Sequence, residues 1–284
     1  MNKDLCYIVI VHFDSYNDTS VCINSILESI NQNFHIVIVN NNFLTESFKK
    51  IKKTYNEHNK VSLININSNK GYSFGLNKGI KYAIKFPNCV YLWMLNNDTY
   101  IEKNSLNELI YEEQRCNVDA IIGSKILNQN KSIQSLGCKL NKLTMVTSHN
   151  YKNYTNTLKE YNIDRIDYIH GCSIFFKKHI IDIVGFFDER YFLFYEDVDY
   201  SLRAKSKNIH LLVAQKSVII HNENSSLKKT NFEYLSTVNR ILASKKFFKK
   251  YIYFVYIQLI LDIFKNFLLF RIKRNAQIIR FLLS

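Results

Sequence analysis

The chain has 284 residues, 47% hydrophobic and 22% charged, which is enough apolar material for a sizeable core and excludes a disordered or fibrous chain. Its formal net charge of +14 favours anionic partners such as phosphorylated substrates or an acidic membrane. The excess is concentrated beyond Asn231, in basic clusters at 245–250 and 271–274, with only Glu233 and Asp262 against them. The six cysteines are scattered without a CxxC, which reads as buried free thiols in a reducing compartment. No apolar segment follows a basic start, so no secretory signal is expected and the cytoplasm follows.

In chain order, the run 7–11 reads as a buried strand, and 18–30 as a helix behind an Asp18 cap. Strands are then expected at 35–39, 61–66, 90–95 and 119–122, with helices at 45–55, 72–84 and 102–114 between and after them. Such alternation predicts an α/β fold with a mainly parallel sheet and helices on both faces. From Ser124 the chain turns polar, with a strand over 168–176, a helix over 179–184, a break at Gly185, a helix over 196–206 and a last strand over 211–220. Residues 232–284 read as helices. Within 251–270 only Gln258, Asp262, Lys265 and Asn266 are not apolar, and their spacing puts them on one stripe. Asp and Lys in mid-segment disfavour a transmembrane span, at about 2.5–3.5 kcal/mol each. An interfacial helix on an anionic membrane surface fits, and a helix packed on the domain or in a homodimer seam is the alternative. The expected organisation is a nucleotide-binding half over 1–123, an acceptor-binding and catalytic half over 124–231, and a basic helical appendage over 232–284.

The seven glycines exclude several chemistries, because the first is Gly71. A dinucleotide fold needs glycines after its first strand, where this chain has His12-Phe13-Asp14. Neither a P-loop nor a Gly-x-Ser-x-Gly elbow is present. Three expected strand ends carry polar residues: Asn40-Asn41-Asn42, the stretch 69–79, and Asn96-Asn97-Asp98-Thr99. Ligands of open α/β sheets bind at such ends. Asp98 is either a carboxylate for a divalent cation or the cap of the next helix. In 185–203, aromatics crowd Glu196, Asp197 and Asp199, which can raise a carboxylate toward the pKa of a working base. The alternative is that these acids complement a helix N-terminus, with Asp199 pairing to Arg203.

These segments, together with His170-Gly171-Cys172 and Val218-Ile219-Ile220-His221, resemble glycosyltransferase family 2, inverting enzymes of the GT-A fold, and in particular its bacterial rhamnosyltransferase-like branch. The resemblance runs from about Tyr7 to Arg240, where 234–240 is similar to the family's Tyr-Tyr-x-x-Arg-Asn helix, with Leu235 and Val238 as departures. It implies Asp197 as catalytic base beside Glu196, and a Mg²⁺ or Mn²⁺ ion at Asp98 and His221, with Asn96 where an aspartate is usual. It implies a donor site of Phe13, Asp14, Asn40, Asn69, Gly71, Gly75, Asn77, Asn96, Asn97 and Asp98. Gly171, Cys172, Tyr195 and Glu196 are implied at the acceptor. An amide at Asn40 keeps the pairing with a pyrimidine, so a UDP- or dTDP-sugar donor is expected. The acceptor is expected to be a saccharide, carried on polyprenyl diphosphate at the inner face of the cell membrane. Asn40 and Asn96 also admit a GT-A binding subunit without catalysis. Net charge alone motivates a nucleic-acid-binding reading, and no binding motif or stacking platform supports it.

Overall fold

Alternate residues of the first strand, β1 (Leu5–His12), are buried on opposite faces of a sheet. Val9 and Val11 join one apolar cluster with Leu76 and Ile80; Ile8 and Ile10 join another with Cys22, Ile23 and Ile26. A strand covered on both sides has no polar face, which is why its sequence reads as an unbroken apolar run.

The computed structural model describes residues 4–157, 159–222, 233–268, 275–276 and 278–279. After β1 come α1 (Tyr16–Leu27), β2 (Phe34–Asn40), α2 (Glu46–Tyr55), β3 (Val61–Asn65), α3 (Tyr72–Ala83) and β4 (Cys89–Asn96), in the expected alternation. Then follow β5 (Thr99–Ile101), α4 (Ser105–Cys116), β6 (Ala120–Leu127), β7 (Ile133–Ser135), β8 (Cys138–Leu140), β9 (Thr147–His149) and β10 (Ser173–Lys177). The remainder is α5 (Ile180–Val184), α6 (Glu196–Ser206), β11 (His210–His221), α7 (Glu233–Phe247) and, after a short 3-10 turn, α8 (Ile252–Leu268).

Eight strands run in the order β3-β2-β1-β4-β10-β6-β11-β5, with β7 added beside β6. The first four are parallel, β10 runs antiparallel to β4 and β6, and β11 is parallel to β6. The fold is therefore α/β with a mixed, mainly parallel sheet flanked by helices, as expected. Local differences have local causes. Helix α1 begins at Tyr16, with Ser15 at the N-cap position and its hydroxyl bonded to Asp18, so Asp18 is a first-turn acid and not the cap. The expected strand over 168–176 is confined to Ser173–Lys177, because 170–172 turn at the sheet edge, where Ser173 N–H bonds His170 C=O at 3.2 Å. The three residues of β5 lie between the expected strand over 90–95 and the expected helix over 102–114, and α4 starts only at Ser105, behind Asn104.

Helix α3 lies unusually close to the sheet. A Cβ at Gly79 would stand 2.3 Å from Val9 Cγ1, and one at Gly75 2.8 Å from Val11 Cγ1. At the C-terminus, α8 packs on α7 through Val255 and Leu259. Most of its polar stripe faces inward: Gln258 donates to Asp262 at 3.0 Å, Asp262 pairs with Arg240 at 2.8 Å, and Asn266 is buried, whereas Lys265 is exposed. Its outer face is apolar, with Tyr253, Ile257, Ile260, Phe264 and Phe267 exposed. Residues 249–268 are long and apolar enough to cross a membrane. The basic cluster at 271–274 lies outside the described residues. All six cysteines are free, and all but the half-buried Cys116 are buried.

Candidate active site

The carboxyl ends of β1, β2 and β4 open into a cleft of about 470 Å³. Phe13, Asn41, Asn69 and Tyr72 line one wall, and Asn96, Asn97 and Asp98 the floor. The other wall carries His170-Gly171-Cys172, the stretch 192–198, His221 and Ser236. The two carboxylate-bearing segments that stand a hundred residues apart in the sequence thus share one space.

Asp98 and His221 meet because β5 pairs antiparallel with β11, His221 opposite Thr99. This disposes of the capping alternative for Asp98, which lies one residue before a strand and six before the N-cap of α4. Both side chains are buried, with His221 Nε2 3.3 Å from Asp98 Oδ1. The ring's other nitrogen, Nδ1, is 3.0 Å from Gln134 Oε1. Tyr72 OH donates to Asn96 Oδ1 at 2.7 Å, and Asn96 Nδ2 lies 3.5 Å from His221 Nε2. An imidazole nitrogen and a carboxylate oxygen thus face each other, and with the ring hydrogen on Nδ1 the two can share a cation. Two ligands on adjacent positions of an octahedral ion at about 2.1 Å stand about 3 Å apart, so the pair fits a small hard cation. Among the described residues no group of three or more His, Cys, Asp or Glu does so, which leaves the other positions to phosphate and water. Asn96, with its oxygen bound by Tyr72 and its nitrogen toward His221, buttresses the pair and does not face a cation as a ligand.

Across the cleft, Asp197 is held by two backbone donors, Gly171 N–H to Oδ2 and Val198 N–H to Oδ1, each at 2.8 Å. Its carboxyl is nonetheless pushed above the usual aspartate range, because burial outweighs those bonds. Glu196 is pushed up further, by burial first and then by the charge of Asp197. Of the two, Asp197 is thus the one that keeps its charge and can accept a proton. Asp199 is fully buried and pairs with Arg203 at 2.7 Å and with Lys246, as the structural alternative for it predicts.

Several expected donor residues do other work. Asn40 is fully buried and donates to Asn42 C=O, Phe43 C=O and Asn65 Oδ1 at 2.8–3.2 Å, so it does not reach the cleft. Its neighbour Asn41 does, donating to Gly71 C=O at 3.0 Å and Asn69 Oδ1 at 3.3 Å. Asp14 is exposed on a left-handed turn (φ 52°) outside the cleft, whereas Phe13 lines it. Gly71, Gly75 and Asn77 serve packing. Asn77 exchanges hydrogen bonds with Phe187 N–H and C=O at 2.9 Å and binds Glu189. Gly71 has φ 93°, and a Cβ there would lie 2.7 Å from Phe192 O. Tyr72 N–H bonds that oxygen at 2.6 Å and Ser73 Oγ bonds Tyr191 C=O at 2.7 Å, so the start of α3 is stitched to the catalytic loop. Asn97 lines the floor and donates to Thr19 at 3.0 Å. Gly171, Cys172, Tyr195 and Glu196 all line the cleft. The residues that motif reading missed are Asn41, Tyr72, Gln134, His170 and Ser236. All but Gln134 stand inside segments it singled out.

A sheet of this order, with a cleft at its parallel strand ends, has the architecture of GT-A glycosyltransferases. Solved structures agree on the fold: GalNAc-T7 with UDP, GalNAc and Mn²⁺ superposes with a TM-score of 0.69 at 13% identity, over 88% of this chain. S. aureus TarS gives 0.56 at 15% identity, over 84% of this chain and 39% of that one. The chain spans 49% of the GalNAc-T7 structure. Residues 7–184 match the model for Glycosyl transferase family 2, so this chain belongs to that family and is a glycosyltransferase. A curated relative, the low-salt glycan biosynthesis hexosyltransferase Agl10 of Haloferax volcanii, is 28% identical over 253 residues, 86% of this chain and 76% of the relative.

Proposed function

We propose that this enzyme moves a hexosyl group from a nucleoside-diphosphate sugar to a saccharide acceptor on polyprenyl diphosphate, with inversion, during assembly of a cell-surface glycan. One observation carries the reading: Asp98, His221 and Asp197 line the same cleft, about 470 Å³ in volume. The hexosyl and glycan assignments rest on the similarity to Agl10.

Asp197 accepts the proton of the acceptor hydroxyl as its oxygen bonds to the anomeric carbon. The bond from that carbon to the diphosphate oxygen breaks on the opposite face, and the nucleoside diphosphate leaves. Glu196, protonated at neutral pH, leaves Asp197 as the single anion beside the acceptor and can donate a hydrogen bond to it. Asp98 and His221 would hold Mg²⁺ or Mn²⁺, which when bound neutralises charge on the departing diphosphate. Phe13, Asn41, Asn69 and Tyr72 are the donor-side groups, in the stead of Asn40, Asp14, Gly71, Gly75 and Asn77. The outward apolar face of α8 and the exposed Lys245, Lys249 and Lys250 support attachment to the anionic inner face of the cell membrane, where a lipid-linked acceptor would lie.

Thermal shift against a panel of UDP- and dTDP-sugars, with and without Mn²⁺, tests the reading. One sugar nucleotide is expected to stabilise the protein in a Mn²⁺-dependent manner, with the effect lost in Asp98→Ala. Turnover unaffected by a chelator would remove the metal from the scheme.

A further inference from the structure

The Glu196-Asp197 pair opens α6 directly after two residues in left-handed conformation, Phe194 (φ 70°) and Tyr195 (φ 69°). Neither is a glycine, and each such residue costs on the order of 1–2 kcal/mol unless its surroundings enforce the conformation. Two consecutive left-handed residues turn successive carbonyls toward the same side. Here the carbonyls of Leu193 and Phe194 converge on a single side-chain amide: Asn239 Nδ2, on α7, donates to Leu193 O at 2.8 Å and to Phe194 O at 2.9 Å. Both hydrogens of that NH2 group are used, and Asn239 is buried. No other residue type of that length offers two neutral donors from one atom without adding a charge. Further ties on the turn include Tyr195 OH to Met145 C=O at 2.7 Å, Asp199 N–H to Tyr195 C=O at 2.9 Å and Tyr72 N–H to Phe192 C=O. Helix α7 is itself anchored, by Lys246 to Asp188 and Asp199 and by Arg240 to Asp262 of α8.

We propose that Asn239 is a positioning residue for the reaction: its amide holds the left-handed Phe194-Tyr195 turn that aims Asp197 into the cleft. The appendage that composition assigns to the membrane thus contributes to the active site. This rests on the reading of Asp197 as the base, and the experiment separates the two.

Asn239→Ala, the milder Asn239→Ser, and the double variant Asn239→Ala with Phe194→Gly are compared in the full chain with Asp197→Asn, by kcat, donor KM and thermal melting. Losing two hydrogen bonds predicts a fall in kcat of roughly ten- to a hundredfold for Asn239→Ala, with donor KM nearly unchanged. Asn239→Ser, which keeps one donor, is expected between that variant and wild type. Glycine at 194 removes one left-handed penalty, so the double variant is expected to recover several-fold in kcat over Asn239→Ala. Unchanged kcat in both single variants overturns the proposal while leaving the Asp197 reading intact. So does a loss that falls equally on donor KM, or one that glycine does not relieve. Full turnover in Asp197→Asn overturns both.

Discussion

Asp197→Asn perturbs one carboxylate and leaves its surroundings in register. Both oxygens accept backbone N–H bonds at 2.8 Å, so the amide keeps one acceptor and turns an NH2 toward the other donor. That mismatch costs about 1–3 kcal/mol, or a few degrees of Tm at about 2–4 °C per kcal/mol in a chain of this size. The catalytic loss is larger. A general base contributes about 10²–10⁴-fold, equivalent to about 3–5 kcal/mol of barrier. The assay is release of nucleoside diphosphate from the sugar nucleotide that binds, with water alone and then with pooled lipid-linked saccharides as acceptor. Turnover is expected to fall at least about a hundredfold, with donor affinity retained because Asp98 and His221 lie across the cleft. Since burial holds the Asp197 carboxyl above its ordinary range, wild-type activity should decline with falling pH well before the usual aspartate value of about 3.9. Turnover within a few-fold of wild type, or a loss mirrored in donor affinity, refutes the reasoning.

Gly71→Ala forces a Cβ to 2.7 Å from a backbone oxygen at φ 93°, and is expected to cost about 2–4 kcal/mol and to slow turnover by displacing Phe192; an unchanged melting curve would contradict the stitching of α3 to the catalytic loop. Burial lowers His12, between Thr19 and Ser47, to about 4. Between pH 6.5 and about 4 the unfolded chain takes up a proton that the native ring refuses, so stability falls with pH by up to about 3 kcal/mol. His12→Gln should flatten that slope in urea titrations, and equal slopes in both proteins would count against it. Phe264→Asp with Phe267→Asp should weaken sedimentation with anionic vesicles by tenfold or more, given about 1.5–3 kcal/mol per buried aromatic; unchanged sedimentation, with a shift in oligomeric state, would assign the face to a dimer seam.

Much of the fold was legible because buried parallel strands write themselves as apolar runs: 7–11, 35–39 and 90–95 all lie within observed strands. The site was legible in its charged members and less so in its amides. Three consecutive asparagines end β2, and only pairing decides which one faces the ligand: Asn40 is taken up by Asn65 on β3, leaving Asn41 to the cleft. The resemblance implies Gly71 and Gly75 at the donor, yet these two, like Gly79, mark close approaches of α3 to the sheet or to the loop at Phe192. Gln134 carried no local signal, since it acts through His221, 87 positions away; Asn239 stands in the Tyr-Tyr-x-x-Arg-Asn-like helix, but its partners, Leu193 and Phe194, could not be read from the sequence. For α8, the polar stripe was visible but its direction was not. Pairing of Asp262 with Arg240 turns that carboxylate inward and the oil-like side outward, with Lys265 left exposed.

The juxtaposition of β5 with β11 has a consequence for biosynthesis. His221 and Asn96 are 125 positions apart, so a ribosome must deliver most of the polypeptide before Asp98 and His221 can meet. A nascent chain halted earlier lacks the imidazole that the pairing of β5 with β11 brings to Asp98.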